Sequence, residues 1–311
     1  MTPVARTIFL GTGDFAVPIG EALVHEPLVD LVAVVTAPSR RGSRAKLIDP
    51  PMAAWAAEHG LPLLRPERLR TPDSVAQLAE LQPDLMVLAD YGQIVPQSIL
   101  DLPGRGALNV HPSLLPRHRG ATPIPAAILA GDHEAGVSLM LMDAGLDSGP
   151  LIGQSRLLLE GNETAPELES TLAHLGAELV QELMPRWLTS TIEPQPQPAD
   201  GVTLTRPLRR EEGRLDPSRD AAYLDRQVRA YQPWPGTFFE TADGRVTIWR
   251  SRVALGSGLG GAILVGPDHQ PAIATSDGLL ELVEVQPAGG RRMSGSELLR
   301  GRPRLVGQSV A

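Results

Sequence analysis

Residues 7–36 read TIFLGTGDFAVPIGEALVHEPLVDLVAVVT. Thr7–Leu10 is a short apolar run that ends at Gly11-Thr12-Gly13, and a helical pattern runs from Phe15 to about Glu26. Asp30–Thr36 is β-branched and apolar without alternation, as a strand buried on both faces should be. Strand, glycine turn, helix and strand in 30 residues predict a βαβ unit and hence a parallel sheet.

The same rhythm continues outward. Met52–Glu58 and Ser74–Glu80 read as helices, Leu61–Leu64 and Leu85–Ala89 as strands, Pro96–Leu100 as a helical turn and Gly106–His111 as a further strand. Pro123–Ala130 is helical in pattern, and Val137–Met142 and Leu151–Leu159 are strands. A long helix follows, with Thr164 as cap, Glu167 closing a capping box and leucines at 168, 172, 175, 179 and 183 on one face. The fold class predicted is α/β, a doubly wound, mainly parallel sheet. Residues 192–201, IEPQPQPADG, alternate proline with polar residues and predict a semi-rigid linker. Beyond a helix at Tyr223–Tyr231, short strands at Thr237–Glu240, Val246–Arg250, Ala262–Val265, Ala272–Ala274 and Leu279–Val285 are separated by Gly and Asp turns, the pattern of a small β-barrel. The domains expected are 1–190, a linker at 191–203, and 204–311.

The 311 residues suit two domains. With no cysteine, disulfides, thiol catalysis and Cys-ligated zinc are excluded. The N-terminus passes directly into an apolar strand, leaving no room for a signal peptide, and no apolar run reaches membrane length, so a cytoplasmic protein is expected. Net charge is −8, divided as −11 over residues 1–203 and +3 over 204–311. The acidic total argues against nucleic acid and the basic C-terminal part argues for it.

Chemistry concentrates in residues 108–147, LNVHPSLLPRHRGATPIPAAILAGDHEAGVSLMLMDAGLD. Asn109 and His111, two apart at a strand end, point to one face. Asp147 closes a loop directly after another predicted strand, so an amide, an imidazole and a carboxylate can converge above the sheet. The Asn109 amide and a protonated His111 would be donors to a developing oxyanion, and Asp147 would orient the imidazole and relay a proton. Each alone is more often structural: a lone strand-end His is usually a hydrogen-bonded one, and Asp in a Gly loop a turn former. Gly11-Thr12-Gly13-Asp14-Phe15-Ala16 fits a short dinucleotide fingerprint, weak in isolation because any strand–helix turn of this topology favours glycine. The remaining histidines show no metal-ligand spacing, and no metal site is expected.

The run Asn109-Val110-His111-Pro112-Ser113-Leu114-Leu115-Pro116, with Arg119-Gly120-Ala121 and Pro123-Ile124, resembles the signature of folate-dependent formyltransferases. The opening Phe9-Leu10-Gly11-Thr12 and the C-terminal Gln232-Pro233-Trp234-Pro235-Gly236 and Gln286-Pro287-Ala288-Gly289 are similar to the branch that acts on methionyl-tRNA. The resemblance implies catalytic Asn109, His111 and Asp147. It implies a 10-formyltetrahydrofolate site at Ser113, Leu114, Leu115 and Pro116, with Gly92, Ile94 and Val95 from the loop Ala89–Pro96; an apolar or aromatic residue usually stands at Asp90. It implies a C-terminal domain of OB-like type and initiator methionyl-tRNA as partner, with a monomeric chain and no membrane. The basic loop at 39–46, SRRGSRAK, offers Arg40, Arg41, Arg44 and Lys46 to tRNA, and Arg206, Arg209 and Arg210 open the C-terminal domain. A solvated charge run, or pairing of the second cluster with Glu211 and Glu212, explains these arginines nearly as well. Rivals are a folate-dependent formyltransferase or hydrolase acting on a small amine, nucleotide or sugar, and a tRNA- or nucleotide-binding module without chemistry.

Overall fold

The computed structural model describes residues 3–41, 47–242 and 244–310. The chain begins β1 (Ala5–Gly11), α1 (Ala16–Val24), β2 (Val29–Val35), the two-residue strands β3 (Arg40–Arg41) and β4 (Leu47–Ile48), then α2 (Pro51–Glu58) and β5 (Leu63–Leu64). Next come α3 (Pro72–Glu80), β6 (Leu85–Ala89), α4 (Gln97–Leu100), β7 (Ala107–His111), β8 (Arg119–Gly120) and α5 (Pro123–Ala130). β9 (Glu134–Leu141), β10 (Leu151–Leu158), α6 (Ala165–Leu188) and β11 (Leu204–Thr205) follow. The chain divides into two compact units, 1–123 with 134–158 and 169–205, and 124–133 with 159–168 and 206–311. Two short stretches from before the Pro-rich segment thus group with the C-terminal unit.

In the first unit seven strands lie in the order β10-β9-β7-β6-β1-β2-β5. The five from β7 to β5 are parallel, while β9 and β10 join antiparallel at one edge. Alternation along β1 explains why both faces need cover. Ile8 and Leu10 pack with Leu69, Leu78 and Ile99, whereas Phe9 meets Trp55 of α2 edge-on at 6.4 Å. Burying each such side chain stabilises the fold by about 1.5–3 kcal/mol before entropy is counted. The chain winds one way from β1 through β2 and the other way from β6, which makes the carboxyl ends of β1 and β6 the topological switch point, where ligands of such sheets bind. Gly11 ends β1 there, and a Cβ on it would stand 2.7 Å from that of Ala16 and 3.2 Å from the Ala89 carbonyl oxygen. The glycine of the dinucleotide-like motif therefore has a packing reason of its own.

The Pro-rich segment, expected as a semi-rigid linker, is docked by backbone hydrogen bonds. Gln195 exchanges two backbone hydrogen bonds of 2.7 Å with Leu151, and β11 pairs in parallel with β8. The sequence hides this docking because strands of two residues carry no period.

The second unit adds α7 (Ala221–Ala230), β12 (Thr237–Thr241), β13 (Gly244–Ala254), β14 (Ile263–Val265), β15 (Pro271–Ala274), β16 (Leu279–Pro287), β17 (Met293–Ser294) and α8 (Gly295–Gly301). Its sheet is antiparallel in the order β12-β13-β16-β15-β14, with β17 on β16. Leu224 and Val228 of α7 bury themselves with Phe239, Ile248, Ile273 and Leu282. Ser294 and Glu297 form a reciprocal capping box at α8, a helix the strand-and-turn pattern did not announce. Within this unit Arg226 donates to the Leu129 carbonyl at 3.1 Å and Arg229 to that of Glu163 at 2.9 Å, fastening the two early stretches.

Candidate active site

The parallel register brings three loops to one edge. Gly11 pairs with Ala89, and Leu88 with Asn109, so the turns after β1, β6 and β7 are neighbours. Thr12 strengthens this by donating to the Tyr91 carbonyl at 3.0 Å.

On β7 and its exit, Asn109 and His111 are brought together with Asp147, which arrives on the loop after β9. Asn109 Nδ2 donates to Asp147 Oδ1 at 3.3 Å, and His111 Nδ1 stands 3.7 Å from Asp147 Oδ2. The His111 side chain is 5% exposed and that of Asp147 15%, so the carboxylate faces the opening and the imidazole lies beneath it. The backbone N–H of Gly120 donates to Asp147 Oδ2 at 2.8 Å. Gly120 is bound to be glycine: its φ is +109° and a Cβ would collide with the Thr205 carbonyl oxygen.

His111 Nε2 lies 3.0 Å from the His118 carbonyl oxygen, which makes that nitrogen the protonated one. Burial pushes the imidazole below the ordinary histidine value, with Asp147 and the His118 carbonyl acting the other way. Burial thus favours the neutral ring at rest, and the protonated His111 expected from sequence has to be reached against that desolvation. The 3.7 Å gap is too long for a hydrogen bond, so the carboxylate acts on the ring through its charge alone and offsets desolvation only in part.

The segment Ser113–Pro116 is braced by residues that sequence reasoning missed. Ser138 is fully buried on β9, where it pairs with His111 across the sheet. Its hydroxyl donates to the Ser113 carbonyl at 2.6 Å and accepts from the Leu115 N–H at 3.1 Å and from Gln154 Nε2 at 2.8 Å. Gln154 also donates to the Leu115 carbonyl at 2.9 Å, and the Ser113 hydroxyl to that of Arg117 at 2.7 Å. Ser113 and Leu115 are buried, while Leu114 and Pro116 are half-buried. A serine inside the apolar run Val137–Met142 was the one available signal.

The loop after β6 is held by Gln93, which accepts from the Leu69 N–H at 3.0 Å and donates to the Pro66 carbonyl at 3.2 Å. Gly92 is exposed with φ +79°, Val95 half-buried, and Ile94 90% exposed at the loop tip. Asp90 adopts φ +46°, a region aspartate tolerates better than most residues. Desolvation of its carboxyl pushes its pKa up to about 6, against a backbone hydrogen bond from Gly13; the nearby Asp14 charge raises it further and Arg40 lowers it. The residue as a whole is exposed.

Arg40 is exposed on β3. The side chain of Arg41, and Arg44 and Lys46 altogether, lie outside the described residues. Arg206, Arg209 and Arg210 are all exposed, and Arg206 grips Glu212 through both terminal guanidinium nitrogens at 2.8 and 2.9 Å, as the acid–base reading has it. Among the described residues no cluster of three or more His, Asp or Glu is arranged to hold a metal ion, and no helix is long and apolar enough to cross a membrane.

An amide, a buried imidazole and a carboxylate thus meet at the carboxyl end of β7 in a doubly wound sheet, one strand from its switch point. The chain belongs to the formyl transferase family: residues 5–184 match the formyl transferase model and 207–303 that of the formyl transferase C-terminal domain. It is 44% identical over 301 residues to a methionyl-tRNA formyltransferase of Paramagnetospirillum magneticum, covering 95% of this chain and 96% of that one. It is 40% identical over 297 residues to the methionyl-tRNA formyltransferase of Myxococcus xanthus, covering 95% of each. Among solved structures it resembles a Helicobacter canadensis N-formyltransferase in complex with folinic acid and dTDP-3-aminofucose, with TM-score 0.67 at 18% identity over 89% of this chain and 99% of that one. HypX of Aquifex aeolicus in complex with tetrahydrofolic acid gives TM-score 0.62 at 18% identity over 95% of this chain and 47% of that one. At such identity these two speak for the fold alone.

Proposed function

We propose that this chain transfers the formyl group of 10-formyltetrahydrofolate to the α-amine of methionine carried on initiator tRNA, in the cytoplasm. The observation that carries the reading is the meeting of Asn109, His111 and Asp147, with contacts of 3.3 and 3.7 Å, beyond the carboxyl end of β7. Near full-length similarity to methionyl-tRNA formyltransferases, C-terminal domain included, supports a tRNA-borne amine over a small amine, nucleotide or sugar.

When bound, the folate supplies the formyl group. Asn109 has two amide hydrogens; one is directed at Asp147 and the other is available to the formyl oxygen. Losing such a donor typically costs about a hundred- to a thousandfold in rate. His111 rests neutral, with its Nε2–H committed to His118 and its Nδ1 lone pair on the Asp147 side. As negative charge develops on the formyl oxygen beside Asp147, an imidazolium becomes favoured, and His111 takes up at Nδ1 the proton that the attacking amine has given to Asp147, donates there to the oxygen, and returns the proton to Asp147 as the oxyanion collapses. Asp147, its Oδ2 held by Gly120, relays a proton from the attacking amine to the departing nitrogen.

We assign the folate to Ser113, Leu114, Leu115 and Pro116 with Gly92, Ile94 and Val95. Ile94, a large aliphatic side chain left 90% exposed on a fastened loop, suits the apolar face of a flat ring. Buried Leu115, whose N–H and carbonyl are already engaged, would shape this wall by packing rather than by polar contact. We assign tRNA phosphates to Arg40 and Arg41, with Arg44 and Lys46 of the same loop, and to Arg209 and Arg210; Arg206 would have to leave Glu212 to join them. Residues 1–190 then form the catalytic domain, and 204–311 an OB-like tRNA-binding domain.

Product analysis tests the proposal. With 10-formyltetrahydrofolate, initiator methionyl-tRNA should become formylated, while free methionine and amino sugars should not. Formylation of the free amines alone would remove the tRNA assignment.

A further inference from the structure

Asp147 has φ +48°, in the left-handed region, so its position depends on what grips its backbone. That grip comes from the segment after α6. Gln197 Nε2 donates to the Asp147 carbonyl at 2.8 Å and to the Gly149 carbonyl at 2.7 Å. The amide cannot turn over, because Gln197 Oε1 accepts from Arg119 Nε at 3.1 Å and Nη2 at 2.7 Å. Arg119 precedes Gly120, whose N–H holds the Asp147 carboxylate. One side chain thus closes a ring from the carboxylate through the chain at 119–120 and back to the aspartate's own carbonyl.

We infer that Gln197 is a positioning residue for Asp147, setting where the carboxylate stands relative to Asn109 and His111. The inference rests on the proposed role of Asp147 in proton transfer. Both ends of the glutamine amide are required: donors toward two carbonyls and an acceptor toward a guanidinium. Glutamate in its place would keep the pairing with Arg119 and so keep the segment docked. It would, however, set a carboxylate oxygen against two carbonyl oxygens and release the loop.

This contrast gives the test. Gln197→Ala and Gln197→Glu are assayed with saturating folate and methionyl-tRNA, alongside thermal melting and KM for both substrates. Gln197→Ala is expected to lower kcat by about 10- to 100-fold with both KM values little changed, since a displacement of about 1 Å in a reacting group can cost a hundredfold. Gln197→Glu is expected to be at least as slow while melting close to the unaltered protein. A Gln197→Glu enzyme of full kcat would overturn the inference, reducing Gln197 to an anchor for its segment. In an Asp147→Ala background, Gln197→Ala should lower kcat no further; an undiminished second loss would equally overturn it. If Asp147→Ala alone keeps full activity, the proposed mechanism falls as well. If it is inactive while both Gln197 variants are normal, only the present inference fails.

Discussion

Replacing Ser138 with alanine removes one oxygen from the core and disconnects three groups. The Ser113 carbonyl and the Leu115 N–H lose the hydroxyl at 2.6 and 3.1 Å, whereas Gln154 keeps its bond to the Leu115 carbonyl. Two backbone groups are left unpaired beneath a fully buried site, at about 1–3 kcal/mol each, and some relaxation is available. A loss of about 3 kcal/mol follows. For a unit of this size that is a fall of about 6–12 °C in melting temperature. The freed carbonyl and N–H belong to the segment assigned to folate, so the KM for 10-formyltetrahydrofolate should rise by about tenfold, with KM for tRNA little changed. Differential scanning calorimetry and initial rates at varied folate measure both. Ser138→Cys, nearly isosteric with a weaker donor, should fall between. An alanine variant that melts within about 2 °C of the unaltered protein, with normal folate KM, would refute the claim that this hydroxyl braces the segment.

His111→Asn should reduce kcat by about a thousandfold with tRNA affinity preserved; a kcat near that of the unaltered enzyme would sink the mechanism. Because burial depresses the folded-state pKa of His111, its neutral form stabilises the fold above the unfolded value of about 6.5, and that stability is lost as pH falls below it. Melting curves between pH 7.5 and 5 should therefore fall more steeply for the unaltered protein than for His111→Asn. Asp90 has the opposite sign: its folded pKa is raised to about 6, so it favours the fold at low pH and that contribution is lost as pH rises through 6. Asp90→Asn should raise the melting temperature at pH 7.5 and leave it nearly unchanged at pH 4; the reverse order would show that its carboxyl is not desolvated. Arg40→Ala should raise the tRNA KM and lower the slope of log affinity against log salt by about one, and an unchanged slope would return this residue to an ordinary solvated cation.

The trio proposed as catalytic was partly legible because two members share one strand. Asn109 and His111 are two residues apart, and strand geometry alone sets them on one face. The parallel core was equally legible, since β1, β2 and β6 are continuous apolar runs long enough to show their character. The surroundings were not. Ser138 and Gln154 brace the loop across 25 and 39 residues of chain, and Gln197 reaches Asp147 across 50. Hydrogen bonds over such separations leave no local period. The two-residue strands β8 and β11 are invisible for the same reason, and so is the docking of the Pro-rich segment.

Protonation shows the difference most plainly. Sequence supplies a histidine and an aspartate that can come together, and from charge alone a histidinium is the natural expectation. The fold pulls the other way, because desolvation depends on how much protein surrounds the ring, and the charge of Asp147, 3.7 Å away, opposes it only in part. What the sequence determines by itself is therefore the succession of elements and the kinds of side chain delivered to the sheet's edge, both properties of short-range pattern. Which groups touch, which are deprived of water, and which distant glutamine holds the loop in place are decided only when the chain closes on itself, since these depend on three-dimensional separation and not on position along the chain.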